Sequence, residues 1–145
     1  MSNFVELNRT MISSVTRKTF RKAERLCSQK DIDRIFSEGQ VISANTIRLV
    51  YVETELPKLP PVKVLIAVPK KKLRLAVSRN RMKRLIREAY RKHKQKVVEY
   101  YSGVGRHCDI AFIFTGNECI TYEETIVAIN QLLDRLILTH EKNSE

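Results

Sequence analysis

A basic amphipathic helix between residues 77 and 96 constrains the fold more than any other feature of the sequence. At about 100° per residue, one side of this helix collects the apolar residues Met82, Leu85, Ile86 and Ala89. Another side collects cations and one asparagine: Arg79, Asn80, Lys83, Arg84, Arg87, Arg91 and Lys94. The chain must therefore supply a layer that covers the apolar side and leaves the basic side exposed.

Like charges dominate the exposed side of this helix. Four cations follow one another at i, i+4 spacing: Arg79, Lys83, Arg87 and Arg91. Each such pair costs roughly 0.2 to 0.5 kcal/mol in an isolated helix, and Glu88 is the only acid in the run. A solvated surface usually mixes both signs of charge. The pattern therefore favours a partner that carries phosphate groups.

The positive charge of the chain is confined to one segment. The formal net charge is +11, but residues 63–96 contain 14 lysines and arginines against one glutamate, which is +13 and leaves −2 for the remainder. A defined binding surface explains this distribution better than a uniformly basic protein does.

Length and composition predict a single globular domain. With 145 residues, 43% of them hydrophobic, the chain can bury one core. We expect residues 1–19 to form a flexible extension and residues 20–140 to form the domain. No apolar run reaches 18 residues and the N-terminus has no signal-peptide pattern, so we expect a soluble, cytoplasmic protein without membrane contact. The odd set Cys27, Cys108 and Cys119 predicts buried, reduced thiols rather than disulfides or a metal site.

The first half of the domain predicts a helix followed by two strands. Ser28 is a suitable N-cap, Gly39 is expected to end the helix in the left-handed conformation, and the apolar stripe is Ile32, Ile35 and Phe36. Residues 47–53 are β-branched and aromatic and predict a strand. Prolines then mark a loop, and residues 62–68 predict a second strand, antiparallel to the first.

The start of the basic helix is predicted at Ser78. Residues 75–77 form at most a very short strand before it. With Ser78 as N-cap, the backbone N–H groups of residues 79–81 would be open to an anion.

The rest of the chain predicts one buried strand and one helix. Gly103 and Gly105 end the basic helical region, and residues 108–115 are almost continuously apolar, as in a central strand. Residues 121–124, Thr-Tyr-Glu-Glu, form a capping box for a last amphipathic helix. The predicted order is α-β-β-(β)-α-β-α, in two layers with the sheet against the helices.

The sequence of the basic helix resembles a known family signature. Residues 76–91, AVSRNRMKRLIREAYR, are similar to the signature of the bacterial ribonuclease P protein subunit, with Arg79, Asn80 and Arg81 as its Arg-Asn-Arg core. The resemblance extends to FRKAERL and IFSEG near the N-terminus, to PKKK before the signature and to TYEE, and it spans about residues 20–138.

The resemblance implies an α/β (α+β) two-layer sandwich of order α-β-β-β-α-β-α, with a mixed four-stranded sheet and a left-handed β-α-β crossover. It implies a protein subunit of ribonuclease P, with one protein per catalytic RNA, that helps to remove the 5′ leader from precursor tRNA. Hydrolysis would be carried out by Mg²⁺ held in the RNA of the holoenzyme. The protein alone would bind no cofactor or metal and contribute no catalytic residue.

The resemblance also assigns residues. The RNA-binding set consists of Arg79, Asn80, Arg81, Lys83, Arg84, Arg87 and Arg91, with Lys70 and Lys71 nearby. Phe36 and Tyr51 would line a cleft for the leader between the sheet and the first helix, and plain core packing is the alternative for both.

Two other functions compete with this assignment. A protein nuclease would need clustered carboxylates for metal ions, but the acidic residues near the C-terminus are scattered between a strand, a turn and a helix cap: Asp109, Glu118, Glu123 and Glu124. The histidines have no partner at metal-ligand or general-base spacing: His93, His107 and His140. A structural RNA-binding protein of the ribosomal type would use the same basic helix, and only the Arg-Asn-Arg signature argues against it.

Overall fold

The structure, a computed structural model, describes residues 20–55 and 57–144, so the predicted extension at residues 1–19 lies outside the described residues. After a 3-10 turn at Lys22–Glu24, the helices are α1 (Gln29–Glu38), α2 (Ala76–His93), α3 (Gln95–Val104) and α4 (Tyr122–Ser144). The strands are β1 (Gln40–Ala44), β2 (Ile47–Thr54), β3 (Val62–Ala67) and β4 (His107–Phe114).

The four strands form one mixed sheet in the order β1-β2-β4-β3. β2 pairs antiparallel with both β1 and β4, whereas β3 pairs parallel with β4 and is joined to it through α2 and α3. The mixed sheet and its crossover are confirmed, and the left-handed sense of the crossover stays a prediction.

The prediction that residues 62–68 pair antiparallel with the preceding strand is wrong. β4 lies between β2 and β3. Its largely apolar sequence is buried at seven of eight positions, because the strand has a neighbouring strand at each edge and packed residues over both faces. A helical crossover then returns the chain in the same direction, which makes the β3–β4 pairing parallel.

The sequence prediction missed strand β1 and included a short strand at residues 75–77 that the structure does not contain. Residues 75–77 are not a strand, because α2 begins at Ala76. The additional strand is β1, which forms a hairpin with β2 across Asn45 and Thr46, with Asn45 at φ 53°. Only Ala44 of β1 is buried, so this edge strand lacks the alternation of apolar residues that reveals strands in a sequence.

The two faces of the sheet pack against different helices. Ile47, Leu49 and Tyr51 of β2 belong to the large core beneath α2, α3 and α4. Val50 and Val52, which point to the other face, pack with Ile35 of α1 in a smaller cluster. A sequence period of two therefore decides which residues of β2 meet which helices.

Gly39 ends α1 for a reason different from the predicted one. Its backbone is extended, with φ −68° and ψ 148°, and is not left-handed. A Cβ at this position would lie 2.3 Å from the Ile35 carbonyl oxygen and 2.5 Å from Val50 Cγ1. Glycine is required here by close approach of the helix end to the sheet.

The cysteine prediction is confirmed for Cys108 alone. Cys108 is buried, whereas Cys27 and Cys119 are exposed, and all three are free thiols. In the part of the chain that the structure describes, no helix is both long and apolar enough to cross a membrane.

Candidate nucleic-acid interface

Helix α2 begins earlier than the sequence predicted. Leu75 is at the N-cap, and the Arg79 N–H donates to the Leu75 carbonyl oxygen at 3.1 Å. The N–H groups of Asn80 and Arg81 lie further inside the helix. The predicted anion site on the backbone of residues 79–81 is therefore wrong, because alanine, valine and serine continue the helix on the N-terminal side.

The side chain of Arg79 is committed to the connector before the helix. Its Nη1 donates to the carbonyl oxygens of Leu73 at 2.9 Å and Arg74 at 2.7 Å. Two bonds from one guanidinium nitrogen fix the path of the connector relative to the first turn of α2. The first arginine of the signature thus holds the backbone, although its remaining N–H groups are still donors.

The inner side of α2 packs as predicted. Met82, Ile86 and Ala89 are fully buried in the large core, with Leu85 at its margin. Tyr90 is also fully buried, and the Phe20 ring meets it edge-on at 5.7 Å. This packing determines which residues of the helix remain outside.

Lys94 does not belong to the basic face, contrary to the prediction. Its Nζ lies 2.6 Å from Glu24 Oε1, and the two side chains are 1% and 5% exposed. Burial lowers the pKa of Lys94 below its ordinary value, while the hydrogen bond and the charge of Glu24 act in the opposite direction. Lys94 is the C-cap of α2, with φ −69° and ψ −22°, and its ion pair with Glu24 holds the side chain in the interior.

The outer side of α2 carries exposed polar and basic residues. Asn80, Arg81 and Arg84 are exposed, and Lys83 and Arg87 are partly exposed. Within residues 20–55 and 57–142, no carboxylate forms an ion pair with any of these four cations. The outer side of α2 is therefore a surface of unneutralised positive charge.

Arg91 differs from the other predicted contacts. Its guanidinium binds both oxygens of Glu88, at 3.0 Å and 2.5 Å. The hydrogen bond from Arg91 lowers the pKa of the Glu88 carboxyl below its ordinary value. Arg91 is thus partly neutralised.

Two hollows flank this surface. The larger, about 610 Å³, is lined by Phe20, Arg81, Arg84, Leu85, Arg87, Glu88, Arg91 and Tyr122. The second, about 470 Å³, lies beside the connector and includes Lys71, Lys72 and Arg74. Lys70 and Lys71 are exposed, so the structure extends the basic surface from α2 onto the connector.

The two residues predicted for the leader cleft lie on opposite faces of the sheet. Tyr51 is 3% exposed in the large core, and its hydroxyl donates to Gln40 Oε1 at 2.8 Å. Phe36 of α1 is 56% exposed on the other face. The structure therefore does not bring them together, and the core-packing alternative holds for Tyr51.

An exposed cation on the α1 face was missed by the sequence analysis. Arg48 is paired with Ile113 in the register of β2 and β4, and it lies on the same face of β2 as the buried Val50 and Val52. The signal was present in the period of two along β2. The sequence did not indicate which face of the sheet α1 covers, so Arg48 could not be assigned to the same face as Phe36.

The two buried histidines, His107 and His140, contact groups of the protein interior. His107 Nδ1 lies 3.0 Å from the Pro60 carbonyl oxygen, and its Nε2 lies 2.6 Å from Asp109 Oδ1. The ring of His140 stacks on Tyr101 with a centroid distance of 5.6 Å. Among the described residues, no group of three histidine, cysteine or acidic side chains is arranged to hold a metal ion.

Comparisons with known proteins agree on one family. The family model described as Ribonuclease P matches residues 20–136. A ribonuclease P protein component of Porphyromonas gingivalis (strain ATCC BAA-308 / W83) is 32% identical over 115 residues, covering 79% of this chain and 84% of the relative. One of Chlorobium phaeobacteroides is 34% identical over 120 residues, covering 76% and 81%.

Solved structures show the same fold. The RNase P protein of Staphylococcus aureus matches with a TM-score of 0.62 at 23% identity, covering 79% of this chain and 96% of that one. The RNase P protein from Thermotoga maritima matches with a TM-score of 0.59 at 24% identity, covering 77% and 96%. The family match does not favour the alternative of a ribosomal-type structural protein. The chain therefore belongs to the ribonuclease P protein family, as a protein component of that ribonucleoprotein endoribonuclease.

Proposed function

We propose that this chain binds the catalytic RNA of ribonuclease P through the outer side of α2 and the connector before it. The observation that supports this most directly is the row of cations Arg81, Lys83, Arg84 and Arg87 on α2, which form no ion pair with the carboxylates of residues 20–55 and 57–142. A folded domain gains nothing from that row, whereas the phosphate backbone of an RNA neutralises it and releases counterions. The proposed contacts are Asn80, Arg81, Lys83, Arg84 and Arg87, with Lys70 and Lys71, and with Arg79 and Arg91 in supporting positions.

The contacts differ in their expected roles. Arg81 and Arg84 are exposed, and a planar guanidinium suits bidentate binding of phosphate oxygens. Asn80 is uncharged, so it contributes geometry through hydrogen bonds rather than charge. Arg79 positions the connector through the Leu73 and Arg74 carbonyl oxygens.

The proposed site for the 5′ leader of precursor tRNA is the α1 face of the sheet. Phe36 offers an exposed ring there, and the partly buried Ile32, Leu65 and Ile113 pack against the smaller core cluster that contains Ile35. Arg48 supplies an exposed cation on the same face. Single-stranded nucleic acid is commonly bound by this combination of stacking and charge.

Catalysis is assigned to the RNA in this proposal. The protein would act by binding and orienting, one copy per catalytic RNA, while Mg²⁺ held in the RNA carries out hydrolysis. We place these functions in the domain at residues 20–140 and in the cytoplasm.

Reconstitution tests the proposal. Purified protein and a bacterial ribonuclease P RNA are mixed with precursor tRNA at low magnesium, and the 5′ leader is expected to be released only when both are present. Arg84→Ala should raise the protein concentration needed, and the matched control Lys142→Ala, at an exposed lysine near the end of α4, should not. Cleavage by the protein alone, or equal losses in both variants, would contradict the proposal.

A further inference from the structure

Two large apolar side chains stand exposed in the basic surface. Leu75 is 71% exposed and Val77 is 76% exposed, more than any other exposed large apolar residue that the structure describes. They lie at the N-cap and in the first turn of α2, directly after the connector that carries Lys70, Lys71, Lys72 and Arg74. Isolated exposed apolar residues are common on proteins, but a pair of them inside a strongly cationic surface indicates an interaction site.

Neither side chain belongs to a core cluster in the part of the chain that the structure describes. The buried stripe of α2 begins at Met82 and continues through Ile86 and Ala89. Val77 instead precedes Asn80, Arg81 and Arg84 by three, four and seven residues, so it lies on the same outer side as those polar residues. An RNA bound to these side chains would also cover Val77.

The backbone that carries the pair is fixed before any partner arrives. The Leu75 carbonyl oxygen accepts from the Arg79 N–H at 3.1 Å, and the Arg79 side chain binds the two preceding carbonyl oxygens, of Leu73 and Arg74. A contact built on fixed backbone loses little conformational entropy on binding.

We infer that Leu75 and Val77 form an apolar contact for an unstacked nucleobase of the partner RNA. This inference rests on the proposed RNA-binding function of α2. The surrounding cations attract phosphate, and the apolar surfaces of an RNA are the faces of its bases. In a duplex those faces are stacked on one another, so only an unpaired or splayed base can offer one. Apolar side chains are known to insert against base faces in this manner.

The test separates apolar contact from charge. Leu75→Asn removes the apolar side chain and places a preferred N-cap residue at the helix start, so α2 is not weakened. Val77→Thr replaces one methyl group by a hydroxyl of similar size. Affinity for a bacterial ribonuclease P RNA is measured over a series of salt concentrations for each variant, for the double variant and for Val127→Thr, a control at a 50% exposed valine of α4.

We expect Val77→Thr to bind about fourfold more weakly, the effect of one buried methyl group, and the double variant more than about tenfold more weakly. The slope of log affinity against log salt should stay equal to that of the unmodified protein, because no phosphate contact is lost. Val127→Thr should bind as the unmodified protein does, and thermal unfolding should show every variant folded.

The possible outcomes separate the inference from the proposed function. Unchanged affinity in the double variant, with a steep salt dependence of the unmodified protein, overturns the inference and leaves the basic surface intact. A flat salt dependence of the unmodified protein overturns the proposed function itself. If the double variant changes the sedimentation of the RNA-free protein while RNA affinity is unchanged, the pair is a self-association surface and the inference is wrong.

Discussion

Removing Lys94 should destabilise the fold, whereas removing Arg84 should weaken RNA binding, although both are cations of the same basic segment. Lys94 and Glu24 form an ion pair of 2.6 Å with almost no exposed surface. Lys94→Ala leaves the Glu24 carboxylate without its cation in a site closed to water, which costs about 3 to 5 kcal/mol. Folded domains are typically stable by about 5 to 15 kcal/mol, so this is a large fraction of the total.

Urea unfolding followed by circular dichroism, with RNA binding over a range of salt concentrations, measures the two effects separately. Lys94→Ala should lower the urea midpoint strongly, while the folded protein keeps its salt dependence of RNA binding. Arg84→Ala should leave the midpoint unchanged and reduce the slope of log affinity against log salt by about 0.7 to 0.9.

A double variant keeps this prediction testable if Lys94→Ala does not fold. In the unmodified protein, the Arg21 N–H donates to Glu24 Oε2 at 2.8 Å. Lys94→Met combined with Glu24→Gln removes both charges, retains side-chain volume and still offers an amide oxygen to the Arg21 N–H. It should recover most of the lost stability, since no unpaired charge remains buried. A normal urea midpoint for Lys94→Ala together with a reduced salt slope would refute the reasoning and return Lys94 to the RNA-binding surface.

Three further predictions follow from the structure. Gly39→Ala should lower the free energy of unfolding by about 1 to 3 kcal/mol, because the alanine Cβ would lie 2.3 Å from the Ile35 carbonyl oxygen. Gly103→Ala, where nothing lies within 4 Å, should raise the free energy of unfolding by about 0.5 to 1 kcal/mol. Urea midpoints equal to that of the unmodified protein would contradict both. Asn80→Ala should weaken binding of the catalytic RNA by about 1 kcal/mol without altering its salt slope, and unchanged affinity would contradict a hydrogen bond from Asn80 to the RNA. Phe36→Ala should weaken binding of precursor tRNA by about 1 to 3 kcal/mol and leave mature tRNA unaffected, whereas equal losses would remove Phe36 from the leader site.

The elements that the sequence predicted correctly are those with strong apolar patterns. The inner stripe of α2, the apolar run of β4 and the start of α4 all carry local signals. At the last of these, the Glu124 N–H donates to Thr121 Oγ1 at 3.2 Å, as a capping residue requires. β1 carries no such signal, because its side chains are mostly exposed and its position is set by hydrogen bonds to β2.

The errors at the candidate site have a common physical origin. Whether Tyr51 faces a cleft or the core depends on which face of the sheet α1 covers, and this is decided by packing between distant segments. Lys94 is buried because Glu24, 70 positions away in sequence, meets it where α2 gives way to α3. Sequence periodicity predicts neither the orientation of Tyr51 nor the burial of Lys94, because both depend on contacts between residues far apart in the chain.

The Arg-Asn-Arg signature combines two different tasks in three consecutive residues. Successive side chains of a helix point about 100° apart, so three neighbours cannot all face one partner. The structure divides them accordingly: Arg79 donates to the connector, while Asn80 and Arg81 are exposed on the outer side. The bonds made by Arg79 fix the connector whose lysines extend the basic surface beyond the helix. Under the proposed RNA-binding function, the motif therefore supplies one residue, Arg79, that positions the surface and two, Asn80 and Arg81, that are free to contact the RNA.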